Sequence, residues 1–126
     1  MYQTRVLEQQ ELIDRLVSEI AQSVFRKHPE LLENYGEKGR TQTMSDLHKH
    51  FHYLQTAFRL QAPEIFIDHI KWLFNVLISR NVDIHFVLTG LSLMKERTGE
   101  LPSEKESFYW NCLSEAIQWL NERRPS

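Results

Sequence analysis

Glycine and proline together fill only eight of the chain's 126 positions, about half their roughly 12% share in an average protein. Tight turns need these residues and helix interiors reject them. A chain so poor in both is expected to form long helices with few interruptions, not an all-β sandwich. Their positions sharpen this. Pro29, Gly36, Gly39, Pro63, Gly99 and Pro102 fall at the edges of helically patterned stretches, and Pro125 falls in the tail. Gly90 alone lies inside a predicted helix, where a missing side chain permits close packing.

Between these breakers the apolar spacing predicts five helices. The first runs from about Thr4 to Lys27, with Leu12, Leu16, Ile20 and Val24 repeating at four beside Ile13, Val17 and Phe25. His28-Pro29 ends it, and Pro29 can open a further short turn. Tyr35 to Arg40 reads as a loop. The second helix is expected from Thr43, as cap, to about Leu60, with Asp46 completing a near capping box. It shows one face of Met44, Leu47, Phe51, Leu54 and Phe58 and a second of Tyr53, Ala57 and Leu60. A helix apolar on two sides is either central or shared with a partner chain. The third, opened by Pro63 and ending near Arg80, has only a thin polar stripe and is expected to be the most buried.

Asp83 caps the fourth helix, which ends near Arg97 with Gly99 as stop. Val87, Leu88, Leu91 and Met94 are expected to face inward. Ser103 and Glu106 form an S-x-x-E capping box for the fifth helix, to about Glu122. Its inward residues are Phe108, Cys112, Leu113, Ala116, Trp119 and Leu120, with Tyr109 and Trp110 at the margin. The fold class is all-α: one helical domain over residues 1–126, either a compact five-helix bundle or a globin-like packing.

Fifteen basic and seventeen acidic residues give a net charge of −2. That leaves no basic field for a phosphate backbone, so nucleic-acid binding is not expected. The turn between helices three and four suits a helix-turn-helix unit in length, but the helix after it is too apolar for a major groove. The apolar stretch from Ile65 to Ile78 is interrupted by Asp68, His69, Lys71 and Asn75 and is too short to span a bilayer. The first eleven residues are polar, without the apolar core of a signal peptide. One cysteine, Cys112, makes no internal disulfide. A cytoplasmic protein is expected, with Cys112 as a small buried hydrophobe.

Histidine is the one unusual count, at six. His48 and His52 share a helix face at a spacing that can chelate a metal, while His50 points away from them. His69 on the next helix could join them. This gives the alternative reading, a haem- or metal-binding helical protein using His48, His52 and His69. Against it, no H-E-x-x-H, C-x-x-C or paired Glu-x-x-His motif occurs, so no metal or cofactor is expected. His85 can likewise be nominated for haem, but beside Asp83 it reads as a local polar group. Gly36-x-x-Gly39 lacks the Gly-Lys-Ser/Thr of a phosphate loop, and no G-x-S-x-G turn occurs. No catalytic residue is assigned, and the protein is expected not to be an enzyme.

The stretch Tyr35-Gly36-x-x-Gly39-Arg40, Asp46-Leu47-x-x-His50-x-x-Tyr53-Leu54-x-x-Ala57, then Pro63-x-x-Phe66 and Trp72-Leu73-x-x-x-Leu77-Ile78-x-Arg80, resembles a known kind of module. Such helical modules lie N-terminal to cobalamin-binding or other output domains of bacterial regulators. More distantly it is similar to the haem-free globin-like sensor modules of stressosome proteins. The resemblance covers about Glu30 to Leu93. It implies sensing or protein interaction and frequent dimerisation, and it transfers no catalytic residue. Five helices consume the chain, so no output domain is expected on it. The expected function is therefore a non-enzymatic regulatory module that binds a protein partner or small ligand. A homodimer is expected, paired through the long first helix or the two-sided second one. The candidate binding residues are Tyr35, Arg40, Asp46, His50 and Tyr53, around the glycine loop and the second helix, with Arg40 and Asp46 expected to pair.

Overall fold

A computed structural model describes residues 2–124, and their side-chain surroundings from residue 7. Pro125, placed in the tail by the sequence, lies outside the described residues. Those residues form five α-helices and no strand: α1 (Tyr2–Lys27), α2 (Glu30–Leu60), α3 (Glu64–Ser79), α4 (His85–Glu96) and α5 (Ser103–Asn121), with a 3-10 turn at Thr98–Glu100 before α5. The all-α class read from the scarcity of breakers is the observed one. Among the described residues no helix is long and apolar enough to cross a membrane. The contacts group into two compact units, Met1–Phe51 and His52–Ser126, and the division falls within α2.

In the first unit, Ile13, Leu16, Val17, Ile20, Ala21, Val24 and Phe25 of α1 are all buried. Their steps of three and four residues keep them on one face of the helix. That stripe is internal, so it is not an open seam for a second copy. The helix stops at His28, whose amide bonds to the Val24 carbonyl at 2.8 Å before Pro29. The Pro29 carbonyl then accepts from Leu32 and Glu33, which starts α2 at Glu30.

The expected loop at Tyr35–Arg40 contracts to a single residue. Only Gly36, at φ +58° and ψ −139°, leaves the helical region. That conformation is closed to residues with a Cβ. The helix resumes at once, so Thr43 lies well inside it, where the amides are already paired and nothing is left to cap. Gly39 is the second constrained glycine: a Cβ there would lie 2.9 Å from both the Leu31 carbonyl oxygen and the Tyr35 Cβ. The backbone on either side of the break meets at closer range than a side chain permits.

In the second unit, α5 packs against α3, α4 and the 3-10 turn. Its core includes Leu54 and Ala57 of α2, Phe66, Ile70 and Leu73 of α3, Leu88, Leu91 and Met94 of α4, and Cys112, Leu113, Ala116 and Leu120 of α5. Gly90 is buried inside α4. Two helix ends share one device. At α2, Gln61 takes φ +50°, while Gln61 N–H donates to the Phe58 carbonyl and Ala62 N–H to the Ala57 carbonyl. At α3, Asn81 takes φ +56°, with Asn81 bonding to Ile78 and Val82 to Leu77. Both are Schellman closures in which a left-handed residue other than glycine satisfies the last carbonyls.

Asp83 caps α4 as expected, its carboxylate accepting from the His85 amide at 2.9 Å. The Ser103–Glu106 capping box does not form. Pro102 takes the boundary position, its carbonyl accepting from Lys105 and Glu106, and Ser103 is already helical. Three burial expectations also change. Trp72 and Ile78 of α3 are exposed, so α3 is not apolar all round in its setting. Tyr109 is fully buried instead of marginal, while Phe108 and Trp119 are only half-buried. On α2, Tyr53 and Leu60 are exposed and only Ala57 of the second face is buried, which removes the two-sided helix.

Candidate functional site

The residues expected around the glycine loop have separate local partners. Tyr35 is exposed beside the Gly36 break. The Arg40 guanidinium lies over the Phe25 ring at 5.1 Å and 3.5 Å from the Glu37 carboxylate. Asp46 accepts from Gln42 Nε2 at 2.8 Å, and burial pushes its carboxyl above the usual range against that bond and the nearby Lys49 charge. The expected Arg40–Asp46 pair does not form. Six residues along a continuous helix place two side chains roughly 240° apart, on different sides. His50 is buried. Among the described residues no buried side-chain nitrogen or oxygen lacks a hydrogen-bond partner, so His50 is an internal, satisfied group.

His48 has a specific place. Its Nδ1 donates to the Met44 carbonyl at 3.0 Å and its Nε2 to Asp14 Oδ1 on α1 at 3.0 Å. Both ring nitrogens therefore face protein acceptors of the first unit, a backbone carbonyl and a carboxylate. Gln10 Nε2 donates to the same Asp14 oxygen at 2.9 Å, and these two bonds hold the Asp14 carboxyl below its ordinary value. A carboxylate-oriented histidine suggests a catalytic dyad, but here the second ring nitrogen faces the Met44 carbonyl of its own helix. Among the described residues no group of three or more His, Cys, Asp or Glu side chains is placed to hold a metal ion. Of the three histidines named for a metal, His48 bonds to Asp14 and His69 stacks on Tyr53.

That stack is the most developed feature of the second unit. Phe66, His69 and Trp72 recur at three-residue steps along a flank of α3, which sets their side chains in a slow spiral. Tyr53, from the last turns of α2, lies parallel to His69 with ring centroids 4.1 Å apart and planes 9° apart. His69 is followed by Trp72 at 6.4 Å and 24°, and flanked by Phe66 at 6.2 Å. His52 meets Tyr53 edge-on at 5.7 Å. The central imidazole is buried, while Tyr53 is 37% and Trp72 58% exposed. The row is therefore a ledge of flat rings, anchored by a buried histidine and open at its two ends. It offers apolar area and ring faces.

Tyr53 is the one expected binding residue that joins this ledge. Periodicity along α2 or α3 carries no sign that Tyr53 stacks on His69, because that contact needs the two helices side by side. Cation–aromatic pairs were missed for the same reason. Lys95 Nζ lies 4.3 Å from the Trp110 ring, and Trp119 is met by Arg123 at 3.8 Å and Lys71 at 5.7 Å. Burial pushes the Tyr109 hydroxyl up, and the Cys112 thiol up to about 11. Cys112 is buried as expected, in its protonated, unreactive form. No protein family, curated protein or solved structure matches the chain.

Proposed function

We propose that this chain is a non-enzymatic regulatory helical module that works by self-association, with the Tyr53–His69–Trp72 ledge as its contact face. The observation that carries the reading is the exposure of Tyr53 and Trp72 on either side of a buried imidazole. Large rings held rigid on helices lose little entropy on binding, and Trp and Tyr dominate the energetics of protein contacts. A second copy is the partner assigned, because a two-fold axis needs only one self-complementary patch. The regulatory role rests on the resemblance of the Tyr35 to Arg80 pattern to bacterial sensor modules. The cytoplasmic setting rests on the single, unpaired Cys112.

Sedimentation over a concentration series tests the reading. The protein is expected to pass from monomer to dimer mass as concentration rises. Trp72→Ala is expected to shift that transition to higher concentration while the far-ultraviolet circular dichroism stays unchanged. Monomer mass across the whole series overturns the assignment.

A further inference from the structure

A self-associating face leaves the direction of the second copy to be set, and the outward strip of α3 carries charges that set it. Glu64, Asp68, Lys71, Trp72 and Asn75 are all exposed. On a helix turning 100° per residue they share an arc of about 100°, next to the ledge. Along that arc the sign changes once. Glu64 and Asp68 come first, Lys71 follows, and the exposed Arg80 closes the helix. Asp68 and Lys71 stand three residues apart, a spacing at which a carboxylate and an ammonium pair on one helix. Yet among the described residues neither of them, nor Glu64 nor Arg80, forms an ion pair. Lys71 leans instead toward α5, with its Nζ 5.7 Å from the Trp119 ring. Arg123 meets that ring more closely, at 3.8 Å, so Lys71 is loosely held and its charge stays outward.

Two copies can lay this strip on itself in two directions. In the parallel one Asp68 faces Asp68 and Lys71 faces Lys71, which is repulsive at both contacts. In the antiparallel one, about a two-fold axis midway between Asp68 and Lys71, each Asp68 falls level with Lys71 of the second copy. Glu64 then falls level with Asn75, whose amide donates to a carboxylate. Trp72 comes within about 3 Å, measured along the helix, of His69 in the second copy, so strip and ledge belong to one contact. The dipoles of the two α3 helices also run head to tail in this direction.

We propose that α3 pairs antiparallel with α3 of a second copy, and that Asp68 and Lys71 are the residues that fix this direction. The inference rests on the self-association assigned to the ledge and adds the charge pattern that selects one orientation of it. Exposed ion pairs add little affinity by attraction alone. Their larger effect is on what they exclude, because the parallel copy must press like charges together beside the Trp72 contact.

Charge reversal tests this, read by sedimentation of the intact protein over a concentration series at low salt. Asp68→Lys sets lysine against lysine at both contacts, and Lys71→Asp sets aspartate against aspartate. Each is expected to raise the dimer dissociation constant about ten-fold. An equimolar mixture of the two variants restores opposite charges at both contacts and is expected to return to the wild-type value. If either variant loses its helical circular dichroism, the salt dependence of the wild type decides. Its dissociation constant is expected to rise several-fold between about 0.05 and 0.5 M salt, and no rise overturns the proposal. Folded single variants that dimerise as tightly as the wild type, or a mixture no tighter than its components, overturn the antiparallel pairing and leave the ledge assignment standing. Monomer mass for the wild type across the whole series overturns both.

Discussion

His48 on α1's neighbour α2 and Asp14 on α1 are joined at 3.0 Å, with the second ring nitrogen of His48 held by the Met44 carbonyl of its own helix. This ties the two helices of the first unit at a fixed register, since Asp14 is also oriented by Gln10 one turn earlier. The two hydrogen bonds hold the Asp14 carboxyl below its ordinary value. A depressed carboxyl gives stability that is present above the unfolded value, near pH 4, and is lost as pH falls through the folded one. Asp14→Asn is therefore expected to lower stability at pH 6 and to have a smaller effect at pH 3. Both side chains are well exposed, so water screens the pair and the loss is under about 1 kcal/mol. Urea unfolding of both proteins at the two pH values checks this.

The break at Gly36 gives a larger expected effect. Its φ of +58° with ψ of −139° is open to glycine alone. Gly36→Ala is expected to cost about 1–3 kcal/mol, the range for forcing such a conformation on a residue with a Cβ. Gly39→Ala is expected to destabilise as well, through the 2.9 Å approach of its new methyl to the Leu31 carbonyl. An unchanged urea midpoint in Gly36→Ala, followed by circular dichroism, contradicts the first expectation.

These glycines also mark how far sequence reasoning reaches. The stripe from Ile13 to Phe25 and the Asp83 cap were legible because each depends on residues a turn or less apart. Two glycines close together suggest a loop at Tyr35 to Arg40, yet only the torsion of Gly36 breaks the helix. The Ser103–Glu106 box failed because Pro102, one residue earlier, already defines the boundary. The exposed face of α3 was misread because Trp72 and Ile78 look like core residues by hydrophobicity alone. Of the five expected binding residues, Tyr53 alone joins the ledge, and its partner His69 reads in the sequence only as a possible third metal ligand. Contacts between helices decide such cases, and periodicity does not encode them.

Phe66 and Trp72 separate stability from recognition on one helix flank. Phe66 is fully buried, so Phe66→Ala leaves a cavity and is expected to cost about 3–5 kcal/mol. Trp72 is more than half exposed, so Trp72→Ala is expected to change folding stability by no more than about 0.5 kcal/mol. Thermal melts of the two variants at low concentration, where association does not contribute, compare them directly.

Cys112 is expected to be silent toward thiol reagents in the native protein. It is buried, and its thiol is pushed up to about 11, chiefly by loss of water and secondarily by the nearby Glu115 charge. Little thiolate therefore exists at pH 8, and the reagent has no path to it. Titration with a chromogenic disulfide is expected to give no fast colour in buffer and one equivalent in denaturant. Rapid reaction of the native protein contradicts the buried placement.

Asp46 carries the opposite sign from Asp14. Burial raises its carboxyl above the ordinary range despite the Gln42 hydrogen bond and the Lys49 charge. Its ionised form is therefore less welcome in the folded chain than in the unfolded one, and folding stability rises as pH falls through the folded value. Asp46→Asn retains an oxygen to accept from Gln42 and removes the buried charge. It is expected to stabilise the protein at pH 7 by less than about 1 kcal/mol, given the side chain's partial exposure to water. The gain is expected to vanish below about pH 4, where a carboxyl is neutral in either state. Paired urea melts of Asp46→Asn and wild type across that range check both the sign and the window, and a destabilised variant at pH 7 contradicts the burial argument.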